Sequence, residues 1–276
     1  MKFNFFKKTH NRIILLLSML AVFMVSVVYY SSITGTEHVT LLIREEEQEN
    51  SVLLAKVLAS KTNELATFAK DYTYWDEMVQ FTISHDSLWG ARNLKVSLET
   101  YHADYVWVFG EDYKRFYHAS GEGTPQLDSE IITPEMLRTL EQRSSIFHFF
   151  INTNIGIIEV CGASIHPTTD PLRLTEPKGY FAAGRLWDTN VLADIAEYTG
   201  SIITIESHGL PDDEDSGETP LHIKNEYPLL SWDNKSAAYV VSREKEPLAE
   251  AIRFESGNQL KLMRGFVVLF LVLMST

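Results

Sequence analysis

Two apolar, uncharged segments bracket almost the whole chain of 276 residues. The first covers residues 13–33. As a helix rising about 1.5 Å per residue, it is long enough to cross a hydrocarbon core of about 30 Å. The second begins at Gly265 and is still apolar at Thr276, a length too short to span a membrane. We therefore expect residues 265–276 to be the start of a truncated membrane helix, with a domain held between the two helices.

The residues that flank the first segment predict its orientation. Residues 1–12 carry four positive charges and no acid, and basic flanks of membrane helices stay in the cytoplasm. The alternative is a secretory signal. Against it, the apolar stretch exceeds the usual length of about 7–15 residues, and Tyr29 and Tyr30 stand where small residues would precede cleavage. The favoured layout is a cytoplasmic N-terminus (1–12), a transmembrane helix (13–33), an extracytoplasmic domain (34–264) and the start of a second transmembrane helix (265–276).

The composition restricts the partners of this domain. The formal net charge is −13, and an acidic domain is repelled by the phosphates of nucleic acid, so no nucleic-acid partner is expected. Cys161 is the sole cysteine, which excludes an intrachain disulfide. The domain must therefore be stabilised by a packed core, and a chain with 45% hydrophobic residues can form one.

The hydrophobic periodicity changes along the chain from that of a long helix to that of short strands. Apolar residues recur at three- and four-residue steps from Thr36 to about Phe81, with no proline. Later segments alternate between apolar and polar residues or are bounded by turn residues, as strands are. The predicted elements are a helix over 36–81, strands over 105–109, 114–120, 155–164, 178–186, 201–207, 221–225 and 237–242, helices over 134–142 and 189–199, an acidic loop over 211–218 and a helix from Pro247 to the membrane.

This order of elements predicts an α+β fold. We expect a long N-terminal helix, continuous with the membrane helix, to pack on a mostly antiparallel PAS-like or Cache-like sheet, with transmembrane helices at both ends. Alternation in the first strand places Tyr105, Trp107 and Phe109 on one face and Val106 and Val108 on the other.

A series of short motifs resembles the fourth class of the CHASE group of extracellular sensory domains. The motifs are DYTYWDEM (71–78) at the end of the long helix, Asn93-Leu94, the hairpin ADYVWVFGEDYKRFYHAS (103–120) and the strand GYFAAGRLWD (179–188). The residues that match the family motif are Asp71, Trp75, Asp76 and Asn93, and the resemblance covers roughly residues 50–187. It implies a sensor between two membrane helices, upstream of a histidine kinase, diguanylate cyclase or phosphodiesterase module.

The end of the long helix holds the first candidate ligand site. Tyr72, Tyr74, Trp75 and Asp76 are placed to line a pocket in which Asp71 or Asp76 binds an amine. The alternative interpretation is structural. In that case Trp75 packs on the sheet, and the two aspartates accept hydrogen bonds from backbone amides of the turn, as aspartate commonly does. We favour the structural interpretation of this segment.

Aromatic residues of the predicted sheet form the second candidate site. Trp107, Phe109 and Tyr117 lie on the hairpin, and Tyr180 and Arg185 lie on a later strand. Aromatic walls and one arginine suit a small carboxylate, because guanidinium pairs with carboxylate through two hydrogen bonds. The alternative is an ordinary aromatic core with Arg185 directed to solvent. Tyr180 and Arg185 have opposite parity along the strand, so they need not share a face.

The sequence contains no motif of an enzyme or of a metal site. The nine histidines include no His-x-x-x-His pair and no tight cluster with Cys161, which predicts that no metal is bound. Gly-x-Ser-x-Gly, P-loop and Gly-x-Gly-x-x-Gly motifs are absent. We expect neither catalysis nor a cofactor, and an anchored hydrolase is the least favoured function.

The preferred interpretation is the extracytoplasmic ligand-sensing domain of a bacterial membrane receptor. The expected partners are the bacterial inner membrane, a second copy of the chain in a homodimer, and an unknown small molecule or periplasmic protein. The alternative is a membrane-anchored periplasmic protein-interaction module without a small-molecule ligand. An enclosed pocket would favour the sensor, whereas a contiguous exposed apolar patch would favour the interaction module.

Overall fold

The computed structural model describes residues 3–128, 130–208 and 224–243, together with Lys261 and Gly265. Two compact units divide the chain, one formed by Met1–Glu49, Thr219–Ile223 and Lys245–Thr276, the other by Asn50–Glu218 and Lys224–Glu244. Among the described residues, no helix combines the length and apolar character that a membrane crossing requires. The acidic loop (211–218), the helix predicted from Pro247 and the second apolar segment lie outside the described residues, apart from Lys261 and Gly265, which are helical.

In the described part of the chain, four helices and a π-helical turn come first, and the strands that follow are interrupted by two further helices. The helical elements are α1 (Phe3–Tyr72), α2 (Asp76–Ser84), α3 (Ser87–Gly90), a π-helical turn (Ala91–Lys95), α4 (Ser97–Thr100), α5 (Pro134–Arg143) and α6 (Thr189–Thr199). The strands are β1 (Tyr105–Phe109), β2 (Arg115–Ser120), β3 (Ile146–Thr153), β4 (Gly156–Ser164), β5 (Tyr180–Leu186), β6 (Ile202–Glu206), β7 (Lys224–Leu230) and β8 (Ser236–Arg243).

The strands form two antiparallel sheets, which confirms the predicted α+β class. A five-stranded sheet has the order β2-β1-β5-β4-β3, and a three-stranded sheet has the order β6-β8-β7. Strand β3 was not predicted. Of the strand predicted over 221–225, Lys224 and Asn225 lie in β7, and residues 221–223 lie outside the described residues. Strand β7 lies at the edge of its sheet, where the missing N–H group of Pro228 is tolerated.

The helix predicted over 36–81 is wrong at its C-terminal end, because α1 stops at Tyr72 and α2 starts at Asp76. The backbone N–H of Thr73 still donates to the Ala69 carbonyl at 3.2 Å. However, the Thr73 carbonyl accepts a hydrogen bond of 3.0 Å from the N–H of His166, which lies after β4. Trp75 is extended, with φ −141° and ψ 124°. A contact distant in sequence therefore takes the place of the next helical turn.

Both faces of the five-stranded sheet are buried, and the residues of β1 divide between them as the alternation predicted. On the α1 side, Val106 and Val108 pack with Phe68 of α1 and Phe181 of β5. The opposite face carries the aromatic residues of β1 and β5 together with apolar residues of β3, β4, α5 and the segment before α5. A third core packs α6 and the three-stranded sheet against α1 and Trp187.

Candidate functional site

The two motif aspartates at the end of α1 hold neighbouring segments together. Asp71 accepts a hydrogen bond of 3.0 Å from the hydroxyl of Tyr101. Asp76 accepts two hydrogen bonds from Thr168, one from its backbone N–H at 2.9 Å and one from its hydroxyl at 2.7 Å. The side-chain bond from Thr168, followed by the backbone bond, lowers the pKa of Asp76. Both aspartates therefore make structural hydrogen bonds, in line with the structural interpretation of this segment. A role for either aspartate in ligand binding stays a prediction.

Asn93 and Trp75 join the short helices to the end of α1. The Asn93 carbonyl accepts a hydrogen bond of 3.2 Å from the hydroxyl of Tyr72, and its side-chain amide donates to the Trp89 carbonyl at 2.9 Å. The Trp75 ring lies 5.6 Å from that of Tyr72 and 5.3 Å from that of Trp89. Asn93 sits in the π-helical turn, and the family motif therefore coincides with the contacts that fix α3 and α4.

The second predicted constellation is divided between the two faces of the sheet. Trp107, Phe109 and Tyr180 lie together on the α5 side, and each is at most 3% exposed. Tyr117 packs on the α1 side, 5.4 Å from the Phe81 ring. Because side chains alternate along β5, Arg185 also projects to the side opposite Tyr180. The five residues do not line one pocket.

Arg185 is not directed to solvent, contrary to the alternative considered from the sequence. Its side chain is 4% exposed, and its N–H groups donate hydrogen bonds to other groups of the protein. The Nε–H donates to the His102 carbonyl at 2.8 Å, Nη1 to the Lys61 carbonyl at 3.1 Å and Nη2 to Glu64 at 3.2 Å. The burial of Arg185 follows from its position beneath α1, where it meets a fully buried carboxylate, Glu159, at 4.0 Å.

Glu159 is the centre of this buried polar cluster. One carboxylate oxygen accepts from the Thr62 hydroxyl at 2.6 Å and from His148 Nε2 at 3.0 Å, and the other accepts from the Trp187 indole at 3.1 Å. Burial alone would raise the pKa of Glu159. The hydrogen bond and charge of His148, the charge of Arg185 and the Thr62 bond outweigh burial and lower it. The carboxylate is therefore held in its charged form.

Three donors within this cluster have a spacing that could hold a metal ion. The ligand atoms of His148, Glu159 and Cys161 all lie within 4.8 Å of one another. Burial, followed by the charge of Glu159, raises the pKa of the Cys161 thiol well above its usual value, so the thiol is protonated. Because Glu159 already accepts three hydrogen bonds, the contacts account for these side chains without a metal.

An open cleft of about 540 Å³ lies beside the end of α1. Its lining residues are Lys70, Asp71 and Tyr74 from the end of α1 and the turn after it, and Pro171 and Arg173 from the loop between β4 and β5. The cleft thus lies next to the motif DYTYWDEM, and Asp71 belongs to both. We call it the α1-end cleft.

Arg173 is held in a fixed position at the edge of the α1-end cleft. Its backbone has φ 52°, a left-handed conformation that costs a non-glycine residue free energy. The guanidinium donates from Nη2 to the Thr73 hydroxyl at 2.7 Å and from Nη1 to the Ser164 carbonyl, and it lies 6.0 Å from the centre of the Tyr74 ring. The left-handed backbone and these hydrogen bonds together hold the Arg173 side chain next to the end of α1.

The β4–β5 loop that carries Arg173 is organised around Asp170. This carboxylate accepts hydrogen bonds from the Thr175 hydroxyl at 2.6 Å and from the backbone N–H groups of Leu174 and Thr175 at 2.9 and 2.8 Å. His166 Nδ1 lies 3.2 Å from the same carboxylate. The Thr175 hydroxyl bond, followed by the two backbone bonds, holds the pKa of Asp170 well below its usual range. Asp170 therefore stays charged and fixes the loop.

Sequence reasoning found one side of the α1-end cleft and missed the other. Asp71 and Tyr74 were singled out because they belong to a recognisable motif. Arg173 and Pro171 lie between the strands predicted over 155–164 and 178–186, where the sequence predicted no helix, strand or site residue. The hydrogen bond between Arg173 and Thr73 joins positions 100 residues apart, so a local sequence pattern could not predict it.

The sequence profile of the CHASE4 domain matches residues 57–206, which is more than half of the chain. The chain belongs to the CHASE4 family. The match includes all four motif residues, both sides of the α1-end cleft and the whole five-stranded sheet, and it confirms the resemblance seen in the sequence. No curated protein was found to match the CHASE4 chain.

Several solved periplasmic or sensory domains have a fold similar to this CHASE4 domain. The periplasmic domain of LuxQ from Vibrio cholerae is 14% identical, with a TM-score of 0.44 over 72% of this chain and 98% of that one. The sensor domain of the V. cholerae histidine kinase DctB is 11% identical, with a TM-score of 0.48 over 75% and 98%. The ligand-binding domain of the Campylobacter jejuni chemoreceptor Tlp3, in complex with 4-methylisoleucine, is 11% identical, with a TM-score of 0.42 over 74% and 92%.

Proposed function

We propose that the chain is the extracytoplasmic ligand-sensing region of a bacterial receptor that crosses the inner membrane twice. The observation that carries this proposal is the CHASE4 match over residues 57–206, enclosed between the apolar segments 13–33 and 265–276. In this arrangement the domain passes a conformational signal to a cytoplasmic output module, a diguanylate cyclase, phosphodiesterase or histidine kinase. Any catalysis then belongs to the output module.

The contacts around the α1-end cleft support a mechanism for the signal. Lys70 and Asp71 belong to α1, whereas Pro171 and Arg173 belong to the β4–β5 loop, so a ligand in the cleft touches both. A ligand can shift an equilibrium only by its difference in affinity for two arrangements. Binding that draws the loop and α1 together would favour one position of α1, and α1 is the helix that contains residues 13–33.

The proposed receptor is a homodimer in which α1 lies next to α1 of a second copy. On α1, Val52 is 47% exposed and Leu53 is 39% exposed, although both are apolar. Burying such side chains against a partner removes apolar surface from water, which stabilises association.

Reporter fusions test the extracytoplasmic position of the domain. Alkaline phosphatase folds only where its disulfides can form, that is, outside the cytoplasm. We expect a fusion placed after His208 to be active in a bacterial host and a fusion placed after Arg12 to be inactive. The reverse pattern, or activity of neither fusion despite equal expression, would contradict the proposed topology.

Exposed leucines favour a second candidate function, a membrane-anchored protein-interaction module. Leu172 and Leu174 flank Arg173 in the β4–β5 loop and are 74% and 80% exposed. Contiguous exposed apolar surface marks protein interfaces, and these two leucines are the exposed apolar side chains that the loop would contribute to one. If the double variant Leu172→Ser, Leu174→Ser abolishes signalling while ligand binding to the purified chain is unchanged, the interaction module is the better description.

A further inference from the structure

We propose that the α1-end cleft, lined by Lys70, Asp71, Tyr74, Pro171 and Arg173, binds the carboxylate group of a small organic monoanion. This ligand class rests on the proposed sensing function and specifies it. It places the anion site at Arg173 instead of Arg185, the arginine singled out in the sequence.

The charge of the cleft is opposite to that of the chain. The whole chain has a formal net charge of −13, yet the cleft lining contains two cations, Lys70 and Arg173, and one acid, Asp71. Asp71 already accepts a hydrogen bond from Tyr101. The lining therefore has a net charge of about +1, which suits a monoanion and disfavours a dianion because of repulsion by Asp71.

Both cations keep donors for a ligand. Arg173 donates two of its five N–H groups to described residues, Thr73 and Ser164, and the other three remain for an anion. The ammonium group of Lys70 makes no hydrogen bond or ion pair with a residue that the structure describes. Guanidinium binds carboxylate through two parallel hydrogen bonds, and these are among the strongest that side chains form.

Arg173 is oriented before any ligand arrives. Its bonds to Thr73 and Ser164, its position over Tyr74 and its left-handed backbone fix the guanidinium at the edge of the cleft. Strained backbone conformations persist where the surrounding contacts enforce them, and they concentrate at functional sites. A fixed donor loses little conformational entropy on binding, which strengthens the complex.

The other walls favour an organic ligand over an inorganic anion. The Tyr74 ring and Pro171 present carbon surface to the cleft. Its volume of about 540 Å³ lies within the usual range of small-molecule sites, about 300–1,000 Å³. An ion such as phosphate would leave these apolar walls in contact with water, whereas a carboxylate with an aromatic or branched carbon group would cover them.

Calorimetric titration of the full chain in lipid nanodiscs tests the proposal. The probes are benzoate and isovalerate, with benzamide and isovaleramide as neutral counterparts of the same shape. We expect at least one carboxylate to bind with a Kd below about 1 mM, and its amide to bind at least tenfold more weakly.

Two variants assign the binding to the cleft. We expect Lys70→Ala to weaken carboxylate binding about fivefold, and Arg173→Lys to weaken it tenfold or more because lysine cannot form the bidentate pair. Lys56→Ala is the matched control, since Lys56 is an exposed lysine of α1 about 21 Å along the helix from Lys70. The control should stay within twofold of the unaltered chain. Thermal unfolding of each variant shows that the fold is retained.

The proposal would be overturned by no binding of either carboxylate up to 10 mM (about tenfold above the expected limit), by equal binding of acid and amide, or by equal effects of Lys70→Ala and Lys56→Ala. Displacement of the carboxylate by an equal concentration of inorganic phosphate would also reject an organic ligand. If no carboxylate binds, the proposed receptor topology still stands, because the reporter fusions do not depend on ligand binding. If the fusions contradict the topology but a carboxylate still binds, the sensor function is rejected and the binding site is retained.

Discussion

At the scale of single residues, Glu159 shows how a charge can be stable in a protein core. A buried carboxylate loses its hydration and is tolerated only when donors and opposite charges replace the water. Glu159 is fully buried, accepts from Thr62, His148 and Trp187, and lies 4.0 Å from Arg185. These partners come from α1, β3, β5 and the segment after β5, so one side chain joins α1 to the sheet.

We predict that Glu159→Gln destabilises the domain at pH 7 by about 3 kcal/mol, because it removes the buried negative charge beside Arg185 and His148 and leaves the part-exposed Glu64 as the ion-pair partner of Arg185. The folded-state pKa of Glu159 lies below its usual value of 4.5, so the contribution of the charge is present above pH 4.5 and is lost as pH falls through the folded-state pKa. Denaturant unfolding should therefore show that the difference in unfolding free energy between the unaltered chain and Glu159→Gln becomes smaller below pH 4.5.

The matched control for this prediction is Glu122→Gln, which changes an exposed carboxylate. Its unfolding free energy should follow that of the unaltered chain at every pH. A gap between Glu159→Gln and the unaltered chain that stays constant or widens as the pH falls would contradict the assignment of a lowered pKa.

At the scale of the elements, the turn between α1 and α2 is fixed from outside by the β4–β5 loop. Thr73 accepts from His166 through its carbonyl and from Arg173 through its hydroxyl, and Asp76 accepts twice from Thr168. Loop and turn therefore stabilise each other. In the proposed sensor, this mutual dependence would allow a ligand in the α1-end cleft to act on both.

We predict that Asp76→Ala loosens the β4–β5 loop. The substitution removes the acceptor of the Thr168 N–H, so amide hydrogen exchange over residues 167–175 should become faster. Glu77→Ala is the control, because Glu77 is also an acidic residue in the first turn of α2, where negative charge interacts favourably with the helix dipole. Exchange that rises by the same amount in both variants would mean that the contact with Thr168 does not hold the loop.

Elements with local signals were predictable from the sequence, and elements set by distant contacts were not. Helix α6 was predicted at 189–199 because Asp is a typical N-cap residue and Gly a typical helix stop. The structure agrees, since Asp188 accepts two backbone hydrogen bonds at the start of the helix and Gly200 is left-handed at its end. The end of α1 near Thr73 depends on a hydrogen bond from His166, 93 positions later in the chain. The hydrophobic periodicity continues past Thr73, so the sequence predicted an unbroken helix. In the same way, the motif pointed to Asp71, whereas Arg173 became part of the cleft only through the fold.

At the scale of the whole domain, α1 contributes to two separate cores. Leu65 and Phe68 pack against the five-stranded sheet, whereas Leu54 and Leu58 pack with α6 and the three-stranded sheet. All four are at most 4% exposed. Rotation of α1 about its axis would therefore disturb both cores, whereas a small shift along its axis keeps the same residues facing inward. We infer that a sliding motion is the easier response to a ligand.

We predict that Val52→Cys forms a disulfide between two copies of the chain when membranes are oxidised. Val52 lies on the part of α1 that faces away from the cores, where the proposed dimer partner packs. Non-reducing electrophoresis measures the cross-linked species. Glu122→Cys, exposed on the turn after β2, should remain monomeric under the same oxidant. Equal cross-linking of the two variants, or none at Val52, would contradict a dimer joined along α1.

The π-helical turn at Ala91–Lys95 restricts how this part of the chain tolerates insertions and deletions. A π-helical turn holds more residues than an α-helical turn, so the helical segment from Ser87 to Thr100 contains a local expansion. The extra residue is absorbed within the turn, so deleting one residue of the turn would restore an α-helix and leave Leu98 close to its present face. Deleting one residue from the α-helical part of the segment before Leu98 would instead rotate every later residue by about 100°. Leu98, now 2% exposed, would then leave the core. The segment therefore tolerates the loss of a residue at the π-helical turn better than next to it.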